Sequence, residues 1–264
     1  GTIFRDVTAS YANEFTPWAM TEMKQKVDNK NEAVATFEYD HYGNIAKKTL
    51  PKNDKGERMF FTYLYDRKYN MYPESVEDAF GYRSQMEDYD YRYGIPRTVR
   101  DMNGYTVQYH IDDLGRVDTI IAPNEQSAGV PYTIAYQYVK GADYKTSYAV
   151  TSHYDPQHPN DPLKTITHVD GLGRPYQVKK EAEIMNDNKQ AEVKYVVSGR
   201  TKYDALGRTV ETTHPTICAS ANALSIVGFN NNMLNSTTYD AIDRPLTQTL
   251  PAEQGGDASI TRMS

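Results

Sequence analysis

The sequence has little of what metal proteins, membrane proteins and nucleic-acid-binding proteins usually need. Its 264 residues include one cysteine, Cys218, which excludes an internal disulfide framework and any metal site built from several cysteines. No segment approaches the roughly 20 apolar residues that a membrane helix needs. Lysine and arginine are scattered without a basic run, and the formal net charge is -6. This distribution argues against nucleic acid or an anionic membrane as a partner.

Apolar residues are also scarce. Hydrophobic residues make up 39% of the chain and the mean hydropathy is -0.73, whereas ordinary globular domains are more apolar. Tyrosine outnumbers phenylalanine 23 to 7, as expected where rings lie half in water on a pleated sheet. The composition therefore predicts an open sheet architecture in which much of each strand faces solvent.

A repeated turn motif is what the chain does contain. The motif Asp-x-Φ-Gly, in which Φ is a large apolar residue, occurs five times, and a sixth copy has aspartate in place of the glycine. Arginine follows the motif in four copies. The aspartates, the glycines or their substitute, and these arginines are Asp40, Gly43, Asp78, Gly81, Asp112, Gly115, Arg116, Asp170, Gly173, Arg174, Asp204, Gly207, Arg208, Asp240, Asp243 and Arg244. A weaker relative of the motif begins at Asp101.

The chemistry of the motif predicts a hairpin turn rather than a binding site. The first aspartate accepts hydrogen bonds from backbone N–H groups about two residues later, and the glycine supplies the positive φ that a type I turn followed by a bulge requires. Asp243 can adopt the same conformation at a modest cost. We expect the apolar residue before the glycine to tuck under the turn. Prolines eight residues after the glycine position end the outgoing strands; they are Pro51, Pro123, Pro215 and Pro251.

The segments between the turns read as strands because polar and apolar residues alternate in them. We predict strands at Trp18 to Val27, Arg58 to Asp66, Tyr89 to Tyr93, Tyr132 to Tyr138 and Val193 to Tyr203; a short helix is the alternative at Trp18 to Val27. Loops are expected at His153 to Pro162 and at Cys218 to Ser236, and no linker divides the chain into two domains. The predicted fold class is all-β, with repetitive antiparallel hairpins forming an extended sheet.

The tandem Tyr-Asp-x-x-Gly-Arg signature, with its trailing proline, resembles the YD repeats of RHS proteins. The signature stands here as Tyr39-Asp40…Gly43-Asn44, Tyr203-Asp204…Gly207-Arg208 and Tyr239-Asp240…Asp243-Arg244. The run from Phe80 to Pro96 is similar to the core of RHS-type polymorphic toxins and of the B/C subunits of insecticidal toxin complexes. The likeness covers most of the chain, roughly Phe37 to Pro251.

The resemblance implies that the sheet is curved and forms part of a spiral, hollow shell around a C-terminal toxic domain; teneurins use a related shell outside animal cells. The chain would then be one repeat segment of a larger protein that is secreted or borne on the cell surface. Leading strands would occupy residues 1–36, repeats 37–251 and a truncated tail 252–264. Its partners would be neighbouring repeats and the C-terminal cargo. The Asp-Pro pairs at Asp155 and Asp161 lack the glycine of the family's self-cleaving region, so no cleavage residues are carried over.

Neither catalysis nor a cofactor is predicted, and we do not expect an enzyme. The turn aspartates do not form a calcium-binding loop. His153, His158 and His168 match no zinc spacing and are expected in surface loops, while Cys218 is expected to be a small buried or half-buried side chain. The alternative to a structural shell is an extracellular carbohydrate-binding or adhesion module, because exposed tyrosine ladders can stack on sugar rings.

Overall fold

Antiparallel β-strands make up nearly all of the secondary structure. A computed structural model describes residues 6–11, 18–28, 31–143, 146–198, 200–228, 234–251 and 258–262. These residues cluster into two compact units, Gly1–Pro131 and Tyr132–Ser264. The predicted all-β class of repetitive antiparallel hairpins is confirmed. The organisation into leading strands, repeats and tail stays a prediction.

In the first unit each strand pairs with the next one along the chain, so the order of strands in the sheet equals their order in the sequence. Such a meander needs only short hairpin connections. Its strands are β1 (Val7–Tyr11), β2 (Met20–Lys26), β3 (Glu32–Tyr39), β4 (Ile45–Lys52), β5 (Arg58–Tyr65), β6 (Pro73–Asp78), β7 (Arg83–Asp90), β8 (Ile95–Arg100), β9 (Thr106–Ile111) and β10 (Val117–Ile121), followed by helix α1 (Pro123–Ala128).

The second unit contains strands of two sheets. Its strands are β11 (Ile134–Val139), β12 (Tyr148–His153), β13 (Leu163–Val169), β14 (Pro175–Met185), β15 (Ala191–Ser198), β16 (Thr201–Tyr203), β17 (Thr209–Thr213), β18 (Thr216–Ala219), β19 (Leu234–Tyr239), β20 (Pro245–Leu250) and β21 (Ser259–Arg262). Strands β11 to β15 pair in sequence and β18 adds to β15, whereas the order β16-β17-β19-β20-β21 forms a separate sheet.

A shift in strand register accompanies the turns, as the predicted turn-plus-bulge hairpin requires. In the hairpin of β16 and β17, Lys202 lies opposite Glu211 but Tyr203 lies opposite Thr209, so one residue of β17 has no partner. The hairpins that begin at Asp40, Asp170 and Asp240 show the same shift beside the turn. The recurrence of the bulge indicates that these hairpins share one backbone geometry.

The strand predicted at Tyr89 to Tyr93 is wrong in its second half. Strand β7 ends at Asp90, and the chain then turns through Tyr91 to Gly94, whose N–H donates to the Asp90 carbonyl over 2.8 Å. The Asp90 carboxylate accepts the N–H of Arg92 and stabilises the turn. The alternation of tyrosine with charged residues continues past the end of the strand into the turn, so it predicted a strand that is too long.

The other predicted strands fall on β2, β5, β11 and β15 with β16, and residues 154–162 form the expected connection between β12 and β13. In the second predicted loop, β18 ends at Ala219, a 3-10 helix follows at Ser220–Asn222, and residues 229–233 lie outside the described part. Helix α1 was not predicted. No helix among the described residues is long and apolar enough to cross a membrane.

The buried apolar core of the second unit is small. Val150, Ile166, Tyr195 and Val197 pack with Cys218, which is buried as expected. Many other large apolar side chains in the described residues are exposed, in keeping with the polar composition. Backbone hydrogen bonds and contacts between turns therefore contribute much of the stability that a larger apolar core provides in other proteins.

The turn ladder as candidate functional site

Each predicted turn is closed by the same backbone bonds and the same two bonds to the aspartate Oδ1, and four of the turns add a bond from an arginine. At Asp204 the backbone carbonyl accepts the Gly207 N–H over 3.0 Å, and the backbone N–H donates to the Arg208 carbonyl over 2.9 Å. The carboxylate Oδ1 accepts the N–H groups of Leu206 and Arg208, each over 2.9 Å. Its Oδ2 accepts the Arg208 Nε over 2.6 Å. One side chain thus satisfies three donors of the turn that it begins.

The structure places all the motif residues in turns of this form. The backbone bonds recur in the turns that begin at Asp40, Asp78, Asp101, Asp112, Asp170 and Asp240. The bond from the guanidinium Nε to the aspartate Oδ2 recurs at Arg116, Arg174 and Arg244, over 2.7–2.8 Å. Gly207 has φ +85°, and Asp243, which replaces glycine in the last copy, has φ 66°. The positive φ expected at this position is therefore present whether or not the residue is glycine.

The apolar residue before the glycine does not tuck under the turn, so that expectation was wrong. Phe80, Leu114, Leu172, Leu206 and Ile242 all expose more than two thirds of their surface, from 69% for Ile242 to 78% for Leu172. The physical reason is that the aspartate carboxylate, which accepts two backbone N–H groups across the turn, takes the contacts with the turn backbone. The apolar side chain is therefore directed away from the turn.

Where a tyrosine directly precedes the turn aspartate, its hydroxyl joins that turn to an earlier part of the chain. The Tyr203 hydroxyl donates to the Pro175 carbonyl over 3.0 Å, and the Tyr239 hydroxyl donates to the Thr209 carbonyl over 2.8 Å. In both cases the acceptor lies five residues after the aspartate of the preceding turn. In the first unit the same reach is made by Tyr39 to Met20, Tyr65 to Ile45 and Tyr89 to Pro73, over 2.6–3.0 Å. We call this succession of linked turns the turn ladder.

The residue after the glycine position links its turn to the following one. The Arg174 guanidinium lies over the Tyr203 ring, 4.2 Å from its centroid. The Arg208 Nη1 donates to the Asp240 carbonyl over 3.0 Å and to the Asp243 carboxylate over 2.9 Å. In the first unit the Asn44 amide donates to the Asn70 carbonyl over 2.7 Å. Arginine contacts with a carboxylate and with a tyrosine ring are therefore both present in the ladder.

Two turns of the ladder were missed from the sequence because their spacing differs from the motif. The Asp66 carboxylate is completely buried and accepts four backbone N–H groups, including those of Tyr69 and Tyr72. Asp90 is buried and paired with Arg92 and Arg97. Both aspartates follow a tyrosine, so the Tyr-Asp pair alone, without the glycine three residues later, was the signal that could have found them.

Hydrogen bonds and neighbouring cations keep the turn aspartates charged. Burial alone would raise the pKa of Asp204, but the backbone N–H and guanidinium of Arg208 lower the pKa on balance. The backbone N–H and guanidinium of Arg116 likewise lower the pKa of Asp112. The guanidinium of Arg92 holds the pKa of Asp90 far below the ordinary value, against the effect of burial. These carboxylates act as acceptors at neutral pH, not as proton donors.

The expectation of surface-loop histidines was wrong for His153, which is the last residue of strand β12, and for His168. His168 lies in β13, is fully buried between the rings of Tyr148 and Tyr176, and has no hydrogen-bond partner among the described residues. His158 pairs with Asp155 in the loop before β13, at 2.8 Å from Nδ1 to Oδ2. The described residues contain no group of three His, Cys, Asp or Glu side chains that could hold a metal ion.

A buried lysine holds the segment after β18, which no sequence pattern predicted. The Lys179 ammonium donates to the carbonyls of Asn222 and Ala223, each over 2.8 Å, and to that of Ser225. Burial lowers the pKa of Lys179, while the nearby Cys218 raises it. Beside it, the Gln177 amide exchanges two hydrogen bonds of 3.0 Å with the backbone of Val227. These bonds hold the segment beside a cavity of about 780 Å³ that Tyr148, Tyr176 and Tyr203 help to line.

Comparison with known proteins finds the fold but no close relative. No protein-family model matches the sequence, and no curated protein matches it. Among solved structures, the crystal structure of TcdB2-TccC3 matches with a TM-score of 0.61 and 16% identity over 92% of this chain and 14% of that one. The crystal structure of TcdB2-TccC3 without its hypervariable C-terminal region matches with a TM-score of 0.58 and 14% identity over 92% of this chain and 16% of that one.

A Tc holotoxin pore of Photorhabdus luminescens gives a TM-score of 0.65 and 14% identity over 92% of this chain and 18% of that chain. The chain thus spans less than a fifth of the length of each of these three proteins. Likeness at this identity concerns the fold alone, and all three structures are components of Tc toxin complexes. The fold of this chain is therefore that of the RHS/YD-repeat proteins of toxin complexes, which its turns resemble.

Proposed function

We propose that this chain is a non-catalytic wall segment of an RHS/YD-repeat shell, and that the shell of its parent protein encloses or presents a C-terminal toxin or effector. The turn ladder is the observation that carries the proposal. Its contacts join successive hairpins through hydroxyl, carbonyl and guanidinium groups of the chain itself. A surface joined only between neighbours can be lengthened repeat by repeat, as an enclosing wall requires.

The fold comparison supports the same function. The matched structures belong to Tc toxin complexes, and one of them was solved without a hypervariable C-terminal region. Because this chain spans less than a fifth of such proteins, further repeats and a cargo domain of the parent chain would be its partners. The parent protein would be secreted or displayed at the cell surface.

Limited proteolysis of the parent protein tests the proposal. We would digest the folded parent and identify by mass spectrometry the polypeptides that survive and co-purify; the same digestion in denaturant is the control. The shell function predicts that a C-terminal polypeptide, beyond the repeats, stays intact with them only under native conditions. Digestion of everything downstream while the repeats remain would contradict enclosure and leave a surface scaffold.

A second candidate function is carbohydrate binding at the cell surface. The observation that favours it is a group of tyrosine rings in the first unit, where Tyr69 and Tyr91 lie with centroids 5.0 Å apart and Tyr69 is 51% exposed. Rings that are polar at one end and apolar on their faces suit contact with sugars in water. Binding of the 264-residue chain to a glycan array would support this function, and an empty array would contradict it.

A further inference from the structure

Residues 220–228, which we call the strap, follow β18 and cover part of the small apolar core of the second unit. Ala223 of the strap belongs to that core, where it packs with the buried Cys218, and Val227 packs against it. Two side chains of β14 bind the strap through its backbone groups. The strap contains no titratable side chain. A response of the strap to pH would therefore come from the residues beneath it.

Three polar side chains are completely buried beneath the strap: Gln177 and Lys179 of β14, and His168 of β13. They share one face of the sheet, because His168 pairs with Gln177 and Lys179 lies two residues further along β14. Gln177 and Lys179 are bonded to the strap, whereas neither ring nitrogen of His168 has a hydrogen-bond partner in the described part of the chain. A charged imidazole would need acceptors for two N–H groups, so burial favours the neutral ring.

The groups that surround His168 offer a charged imidazole no counter-charge. Tyr148 of β12 and Tyr176 of β14 contribute rings, with centroids at 5.6 and 6.1 Å from that of the imidazole. The charge that acts on the imidazole is that of the Lys179 ammonium. Arg200, in the segment before β16, interacts with Tyr176 and adds further positive charge to this region.

Groups of the neighbouring strands that can carry negative charge have other partners. The Glu181 carboxylate of β14 accepts the Lys164 N–H over 3.0 Å and the Tyr195 hydroxyl over 3.3 Å. The Cys218 thiol of β18 acts on Lys179. A proton on His168 would therefore add a second positive charge beside Lys179, and like charges repel most strongly where water is excluded.

We propose that the strap responds to acid: protonation of His168 places a second cation beside Lys179, and the strap then lifts from β14 so that water reaches both. With the strap closed, burial and then Lys179 lower the pKa of His168 to about 4 from an ordinary value of 6.5. Between these values the lifted form binds a proton that the closed form does not, so a fall in pH favours lifting. This response goes beyond the shell function and does not depend on it.

Cys218 reports lifting, because it is the one cysteine of the 264-residue chain and lies in the core that the strap covers. Its rate of reaction with dithiodipyridine would be measured at pH 5 and pH 7, each divided by the rate of free cysteine at the same pH. We expect this ratio to rise roughly twentyfold from pH 7 to pH 5, as the return of the His168 pKa to its ordinary value on lifting requires. An unchanged ratio would overturn the proposal.

Hydrogen exchange separates lifting of the strap from unfolding of the whole unit. The N–H groups of Ala223, Ser225 and Val227 are bonded in the closed strap. After correction for intrinsic exchange rates, their protection should be lower than that of β13 and β14 at both pH values, and should fall from pH 7 to pH 5. Protection of the strap equal to that of β13 and β14 would overturn the proposal, because the strap would then open only when the unit unfolds.

Two variants test the roles of the buried bases. His168→Gln should remove the pH dependence of both measurements, and the matched control His153→Gln, at an exposed residue of β12, should keep it. Lys179→Met removes the ammonium that holds the strap, so Cys218 should react rapidly at both pH values. A pH dependence that persists in His168→Gln, or slow labelling of Lys179→Met at pH 7, would overturn the mechanism. The wild-type measurements decide the proposal even if a variant fails to fold.

Discussion

At the scale of single residues, Gly207 combines two constraints that favour glycine. Its φ of +85° is a conformation that side chains with a Cβ rarely adopt. A Cβ at this position would also lie 2.9 Å from the Arg174 Nη1 of the preceding turn. The residue is therefore fixed both by its own turn and by the neighbouring one in the ladder.

Gly207→Val should destabilise the chain by about 1 kcal/mol or more, because a β-branched side chain is strained at positive φ and presses on Arg174. Thermal or denaturant unfolding would measure the change. Gly171→Val is the matched control, since Gly171 lies in the Asp170 turn without a positive φ, and a Cβ there would have open space for 4 Å around it. An unchanged midpoint for Gly207→Val would refute the assigned role.

Tyr203→Phe should test the hydroxyl that joins one turn to the next. The variant keeps the ring under the Arg174 guanidinium but removes the donor to the Pro175 carbonyl. We expect a loss of about 0.5–1 kcal/mol in the free energy of unfolding. Tyr82→Phe is the control, because Tyr82 takes part in the Asp78 turn through its backbone alone and its side chain is exposed. Equal effects of the two substitutions would mean that the hydroxyl bond contributes nothing specific.

At the scale of the hairpin, the sequence predicts what local chemistry decides. The turns that begin at Asp40 and Asp204 follow from an aspartate and a glycine three residues apart, because all the bonds that close them lie within five residues. The turns at Asp66 and Asp90 were not predicted, because their residues of positive φ are Asn70 and Gly94, which lie one residue later than the glycine of the motif.

Contacts between distant segments could not be predicted in the same way. Lys179 binds carbonyls 43 to 46 residues further along the chain, and no local pattern marks those carbonyls as its acceptors. The exposed position of Leu206 was also missed, because hydropathy favours burial while the geometry of the turn directs the side chain outward. The sequence shows the tyrosine that precedes a turn aspartate, but it does not show which backbone carbonyl accepts the hydrogen bond of that tyrosine.

In strand β13, the buried His168 should make the stability of the fold depend on pH. Burial, and then the charge of Lys179, lower the pKa of His168 to about 4 from an ordinary value of 6.5. Between about pH 4 and 6.5 the unfolded chain therefore binds a proton that the folded chain does not, so stability falls as the pH falls through this window. The contribution is at most about 3 kcal/mol.

His168→Gln should flatten that dependence, which urea unfolding at pH 5 and pH 7 would measure. His153→Gln is the matched control, because His153 lies in the neighbouring strand β12 and is exposed. If wild type and His168→Gln lose the same stability between the two pH values, buried His168 is not the group responsible.

At the scale of the whole molecule, a repeat held by contacts between neighbours should respond locally to damage. In Gly207→Val we expect amide exchange to rise in the hairpins of β13 with β14, β16 with β17, and β19 with β20, which the Asp170, Asp204 and Asp240 turns close. Strands β11 and β12 should keep their protection. Hydrogen exchange read by mass spectrometry would measure this, and a uniform rise throughout residues 132–264 would contradict it.

Apart from the Tyr93 hydroxyl, which donates to the later Asp113 carbonyl, the tyrosine bonds between turns point the same way along the chain. The hydroxyls of the five tyrosines that directly precede a turn aspartate, from Tyr39 to Tyr239, each reach a carbonyl that comes earlier in the sequence. A ribosome makes the N-terminal end first, so the acceptor for each of these five tyrosines already exists when that tyrosine leaves the exit tunnel. We therefore expect the hairpins to fold during synthesis, each new hairpin packing against one that has already folded.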